Sequence, residues 1–306
     1  MEWTSNPFDL TPKIKLQNVD KVIIAGVGGS AFAGEVIATL CHGQLNVEVH
    51  RDYGLPKVNV STLVIACSYS GNTEETLSSL SAALKTNCQV IGIASGGELE
   101  QQCKLNSIPF VKVPSGMQPR NATLYMTIPI LELFASNGLI EKIDYGELKE
   151  SVKSESLKTQ GKQIAERIYG KTPLIYSSQR LKCVSMAWKI AFNENAKMHA
   201  FHNQLPELNH NEIVGYTKKS GNFHTLIIRD KDDSERNQKR FTITEKLIRD
   251  FGSECTVIET QGTTFANRLF STIQLGYWTS FYLAKKNGVD PEPVVIVERL
   301  KMELKN

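Results

Sequence analysis

Val22-Ile23-Ile24-Ala25 runs straight into a glycine-rich turn, Gly26-Val27-Gly28-Gly29-Ser30, and then into helix-like text from Ala31 to Leu40. The same order returns at Leu63-Val64-Ile65-Ala66, which meets a Ser/Gly turn and then a helix from Glu74 to Leu84. Val90-Ile91-Gly92-Ile93 and Phe110-Val111-Lys112-Val113 are further apolar runs, and Tyr125 to Phe134 reads as a helix with Pro129 at a bend or in its first turn. Continuous apolar strands of four or five residues, separated by helices, predict a parallel sheet covered on both faces.

A charged stretch from about Glu141 to Ile168 follows, with Leu148, Val152, Leu157, Ile164 and Ile168 at helical spacing, closed by Gly170 and Pro173. The first theme then recurs. Leu174-Ile175-Tyr176-Ser177-Ser178 leads to a helix over Leu181 to Phe192. Thr225-Leu226-Ile227-Ile228 leads through a charged loop, Asp230 to Asn237, to a helix ending at Asp250. Cys255-Thr256-Val257-Ile258 precedes a long helix from Thr264 to Lys286. Two such series, about 150 residues apart, predict a duplicated α/β architecture with domains at 1–150 and 151–306.

The composition fits such a chain: 306 residues, 41% hydrophobic and 22% charged, which excludes a disordered protein. Thirty-five Lys and Arg against 32 Asp and Glu leave +3, so there is no basic footprint for nucleic acid. Nowhere do 18 apolar residues run together, so no membrane partner is expected. The opening Met1-Glu2-Trp3-Thr4 has neither a basic nor an apolar region of a signal peptide. Six cysteines without a CxxC or regular spacing read as reduced thiols, giving a cytoplasmic expectation.

The first turn admits three readings. Gly26 and Gly28 fit a dinucleotide fingerprint whose third position is Ala31 and whose acidic residue would be Asp52. Gly29 and Ser30, at a helix N-terminus, fit a compact phosphate better. A ligand-free packing turn would also use glycines. The second turn is more specific. In Cys67-Ser68-Tyr69-Ser70-Gly71-Asn72-Thr73-Glu74-Glu75-Thr76, the hydroxyls of Ser68, Ser70 and Thr73 gather where a helix begins. Neutral donors and helix-terminal N–H groups make a cradle for a phosphomonoester dianion. No GK[ST] follows, which disfavours nucleoside triphosphates. The plainer alternative is a capping box, but a cap needs one hydroxyl and three are present.

Ser68-Tyr69-Ser70-Gly71-Asn72-Thr73-Glu74-Glu75-Thr76 resembles the signature loop of sugar isomerase (SIS) domains. With Gly28-Gly29-Ser30, Gln118-Pro119-Arg120, Asn193-Glu194-Asn195-Ala196-Lys197, Leu208-Asn209-His210-Asn211-Glu212 and Lys301, the likeness extends over nearly the whole chain. It is to the bifunctional phosphoglucose/phosphomannose isomerases, which have two SIS domains in tandem. The resemblance implies two three-layer α/β/α domains and a hexose 6-phosphate substrate, interconverted with fructose 6-phosphate through a cis-enediol. It implies no cofactor and no metal. It also implies a homodimer in which His210 reaches the site across the interface.

Isomerisation needs an anchored phosphate, an opened ring, a base for the proton exchanged between C1 and C2, and a stabilised enediolate. Glu194, after Trp188-Lys189-Ile190-Ala191-Phe192, is the candidate base, because apolar surroundings push a carboxylate toward general-base range. Glu207 is its local rival, and Glu212 lies nearby too. His210 suits ring opening near neutral pH. Arg120 can hold an oxyanion without losing its proton. Lys301 rests on the resemblance alone and competes with Lys285, Lys286 and Lys305. His199 and His202 form H-x-x-H without an evident third ligand, so no metal is assigned. Glu292, in Asp290-Pro291-Glu292-Pro293, bears on substrate choice near C2 of the sugar. Two further classes compete: a non-catalytic sugar-phosphate sensor, which would not need the Glu–His–Arg set, and another SIS isomerase or amino-sugar enzyme.

Overall fold

The structure is a computed structural model that describes residues 7, 10, 12–145, 148, 155–218 and 221–304. Met1 to Thr4, Val152 and Lys305 therefore lie outside the described residues. The chain divides into two compact units, Met1–Ile143 and Asp144–Asn306.

Unit 1 holds β1 (Lys21–Ala25), α1 (Gly29–Leu40), β2 (Asn46–His50), β3 (Thr62–Cys67), α2 (Glu74–Ala83), β4 (Gln89–Ala94), α3 (Gly97–Leu105), β5 (Phe110–Lys112) and α4 (Thr123–Ser136). Its five strands are all parallel, in the order β2-β1-β3-β4-β5. Alternate residues of the central strands go to opposite faces. Val22, Ile24, Leu63 and Ile65 pack with Ile37, Tyr125, Ile130 and Phe134 on one side. Ile23, Val64 and Ala66 pack with Leu80, Ala83, Leu99 and Cys103 on the other. That division explains why β1 and β3 read as unbroken apolar runs. Pro129 lies well inside α4, past its first turn.

Unit 2 holds α5 (Glu155–Ile168), β6 (Thr172–Ser178), α6 (Lys182–Glu194), β7 (Phe201–Leu205), β8 (Phe223–Arg229), α7 (Glu235–Asp250), β9 (Glu254–Glu259), α8 (Phe265–Asn287) and α9 (Val295–Glu303). Its sheet is again parallel, ordered β7-β6-β8-β9. The charged text expected to be a loop to Asn237 becomes helix at Glu235, because the Ser234 hydroxyl caps α7 by accepting from the Asn237 N–H. Pro173, expected to close the preceding helix, is instead the second residue of β6. The α5–α8 contact is close: a Cβ on Gly161 would come within 2.8 Å of Trp278 Cβ.

β8 occupies in the second sheet the place of β3 in the first, and its carboxyl end carries a buried ion cluster. Asp230 is fully buried. It accepts from Arg268 Nε (2.7 Å), Arg180 Nη1 (2.8 Å), the Thr260 hydroxyl (2.6 Å) and the Asp232 N–H (3.0 Å). Arg180 also stacks on Phe265, 3.9 Å from the ring centroid. Burial works to raise the Asp230 carboxyl, but hydrogen bonds from Arg268, Thr260 and the Asp232 N–H outweigh it and hold the group at about 2. Asp230→Ala would take from the buried Arg268 its buried carboxylate, leaving it the more exposed Asp232, and is expected to destabilise the fold by about 3 kcal/mol in urea unfolding. Because the folded carboxyl lies below its unfolded value, its stabilisation is complete above about pH 4 and is lost as pH falls toward 2. Wild type should therefore lose more stability than Asp230→Ala over that window.

Candidate active site

Two strand ends and one 3₁₀ turn meet at the carboxyl edge of the first sheet, and glycines allow the approach. A Cβ on Gly26 would fall 2.5 Å from the Cys67 carbonyl oxygen. A Cβ on Gly29 would fall 2.9 Å from Pro119 C and O and 3.1 Å from Arg120 N. The turn Pro119–Ala122 thus lies directly on the start of α1, and it carries Arg120, which is almost wholly buried. Gly71, at φ +73°, faces Gly96 so closely that a Cβ would meet the Gly96 oxygen at 1.8 Å. The pairing is sealed by Leu99 N–H donating to Gly71 O (2.8 Å) and Glu98 N–H donating to Asn72 Oδ1 (3.0 Å). Sequence reasoning missed Ser95-Gly96-Gly97, whose adjacent glycines were its only signal.

The hydroxyls of the second turn hold one another. Ser68 Oγ and Thr73 Oγ1 are 2.8 Å apart, and Ser68 Oγ accepts the Gly71 N–H (3.1 Å). Ser30 Oγ accepts the Tyr69 N–H (3.0 Å), which joins the two turns. Ser70 is exposed, its Oγ accepting the Asn72 N–H (3.3 Å). Thr73 stands at the N-cap of α2 but makes no side-chain cap bond. The capping-box alternative is therefore overturned: the threonine hydroxyl turns to Ser68, away from the first-turn amides. Hydroxyls and amides converge here as an anion site requires. Asp52, the acid a dinucleotide reading would need, accepts its neighbour's N–H in an exposed local turn.

In unit 2 the remaining candidates separate into two groups. Glu194 is the last residue of α6 and half-buried. Lys197 Nζ donates both to the Glu194 carbonyl and to the Pro293 carbonyl (2.6 Å), and Asn287 Nδ2 donates to Ala196 O (3.0 Å). The glutamate's surroundings are thus tied to the segment that opens α9. Glu292, in that segment, is exposed. Lys301, on α9, is exposed and pairs with Glu298 at 2.9 Å. His210 ends a 3₁₀ turn, Glu207–His210, just past β7, and is exposed.

Helix α6 leaves the carboxyl edge of the sheet and returns to its amino edge, whereas β7 runs back the other way. Glu194 and His210 consequently lie toward opposite edges of one sheet, separated by roughly 20 Å for a 13-residue helix. The rival carboxylates are accounted for. Glu212 receives hydrogen bonds from Tyr176 (2.7 Å) and Asn203 Nδ2 (2.5 Å), which anchors the His210 loop to β6 and β7. Glu207 is exposed and receives the Asn211 amide (2.6 Å). His202 Nδ1 is 3.2 Å from Ser185 Oγ and 3.1 Å from Gln204 Nε2, while His199 is exposed. Among the described residues no cluster of three His, Cys, Asp or Glu could hold a metal.

Comparison with known proteins places this arrangement. Residues 15–118 match the SIS domain family, and residues 157–304 match the family described as "Bacterial phospho-glucose isomerase C-terminal SIS domain". A bifunctional phosphoglucose/phosphomannose isomerase of Caldicellulosiruptor bescii is 38% identical over 97% of this chain and 93% of its own. The chain belongs to that family. The enzyme of the same name from Aquifex aeolicus is 36% identical over 99% of this chain and 94% of its own. A crystal structure of glucosamine-6-phosphate deaminase from Thermotoga maritima shares the fold at a TM-score of 0.68 and 16% identity, covering 90% of this chain and 88% of its own. No helix among the described residues is long and apolar enough to cross a membrane. Gly29→Ala is expected to cost about 1–3 kcal/mol in denaturant unfolding, since the opposing atoms are backbone. Gly215→Ala, with nothing within 4 Å, is expected to change little.

Proposed function

We propose that this chain is an aldose–ketose isomerase that interconverts glucose 6-phosphate and mannose 6-phosphate with fructose 6-phosphate. The observation that carries the reading is the paired-hydroxyl cradle at the N-terminus of α2, joined through Ser30 to the start of α1, on which the turn bearing the buried Arg120 rests. Gly29, Ser30, Ser68, Ser70 and Thr73 hold the phosphate dianion through hydroxyls and amides. His210 moves the protons that open the ring. The Glu194 carboxylate then takes the proton from C2 and returns it to C1, while the O2 proton passes to O1. Arg120 offers its guanidinium to the enediolate oxygens, where charge develops. Because the enediol has no stereocentre at C2, which epimeric aldose forms depends on which face of C2 is turned to the base. Lys301 contributes a second positive charge. No step requires a metal or a cofactor.

The site is shared in a homodimer, with His210 supplied by the partner subunit. Two observations support this: Glu194 and His210 sit at opposite edges of one sheet, and α9 has no buried residue. Ile296, Val297 and Leu300 on that helix, with Leu304 at its C-cap, form an exposed apolar face suited to a second copy. A cytoplasmic setting is supported by six free cysteines, five of them buried. Burial pushes the Cys41, Cys67 and Cys255 thiols up to about 12.

Glu194→Gln should abolish turnover in a coupled assay on each aldose phosphate while substrate binding persists. Near-normal turnover would leave only a sugar-phosphate receptor. His210→Ala should be inactive as well. Mixing the two inactive proteins under exchange conditions should restore up to about a quarter of wild-type activity, because half the dimers are hybrid and each hybrid has one intact site. A mixture that stays inactive while hybrids are detected by mass would assign His210 to its own subunit's site.

A further inference from the structure

We propose that Tyr69 is a positioning residue whose phenol oxygen fixes the arginine-bearing turn relative to the phosphate cradle, so that anchoring and oxyanion stabilisation are held in register. This rests on the roles proposed above for the cradle and for Arg120.

Tyr69 lies between the two cradle serines, Ser68 and Ser70, yet its own side chain turns inward and is 6% exposed. Each of its polar groups is spoken for. The N–H donates to Ser30 Oγ (3.0 Å), and the carbonyl accepts from Ser95 N–H (2.9 Å) and Ser95 Oγ (2.7 Å). The phenol donates to Pro114 O (3.0 Å) and accepts the Met117 N–H (3.0 Å). Pro114 to Met117 lead directly into Gln118-Pro119-Arg120, and the turn at Gly116 has φ +91°. One residue thus bonds the first glycine turn, the strand β4 exit and the segment that delivers the arginine.

The ring and the hydroxyl have separable tasks. The ring packs with Ile93, Val113 and Tyr125 in the core of unit 1, and a phenylalanine ring would fill the same space. The hydroxyl bonds Pro114 and Met117, in the loop before Arg120. Pro119 and Arg120 also rest on Gly29, which limits how near the turn can come. Packing sets that distance but not the lateral position, and two hydrogen bonds through one oxygen supply the missing constraint. A shift of about 1 Å at a group facing a developing charge can cost about 100-fold in rate.

A double-mutant cycle with Tyr69→Phe and Arg120→Ala tests the proposal, reading kcat, KM and competitive inhibition by inorganic phosphate. Tyr69→Phe is expected to lower kcat about tenfold or more, with KM and phosphate inhibition changed less than about twofold. In the Arg120→Ala background the same change should cost nothing further, because the residue acts through the arginine. Equal losses in both backgrounds, or unchanged kcat in the single variant, would overturn the inference. Loss of phosphate inhibition together with kcat would also overturn it, since the hydroxyl would then be supporting the cradle itself. Normal kcat in Arg120→Ala alone would strike the reading of Arg120, and the inference with it, and that outcome is recognised from one variant without the cycle.

Discussion

Close backbone approach at the carboxyl edge of the first sheet is the constraint on which the candidate site depends. Gly26 against Cys67, Gly29 against Pro119 and Gly71 against Gly96 leave no room for a Cβ at any of three points. With the backbones that near, Ser30 can accept from Tyr69, Ser68 can meet Thr73, and the turn that carries the buried Arg120 can rest on Gly29. Ser68 and Thr73 bond each other while Ser30 and Ser70 accept backbone N–H groups, so the two turns are ordered by their own bonds. What a phosphoester adds is charge, to a ring of donors already in place.

Much of this was legible in the sequence. The strands β1, β3, β4, β6, β8 and β9 are buried on both faces, and burial wrote them as unbroken apolar runs. Three hydroxyls in one turn marked the candidate anion site. The edge strands β2 and β7 were not legible. Asn46-Val47-Glu48-Val49-His50 and Phe201-His202-Asn203-Gln204-Leu205 are only partly covered, so polar residues are tolerated and their pattern fades. Helix α3 was hidden for a related reason, with only Leu99 and Cys103 buried.

The site residues that sequence reasoning missed act over long sequence separations. Gly96 and Gly97 matter because of where Gly71 lies, and Tyr69 because of where Met117 lies. Nothing in their immediate neighbours announces such partners. The rival carboxylate Glu212 looked like a base in one dimension. In three it is an acceptor bound by Tyr176 and Asn203, a fixed support for the loop after β7.

The second sheet treats its equivalent strand end differently. Where β3 opens onto hydroxyls and amides, β8 ends in Asp230, clasped by two guanidiniums and a threonine. That half of the molecule carries its counter-ion as part of its own covalent structure and has no vacancy for another. The two halves thus finish equivalent strands in opposite ways, one in hydroxyls and amides and one in a carboxylate neutralised from within. At that strand end nothing from solution is needed to balance charge, so the joint between β8 and α8 does not depend on the ligand pool.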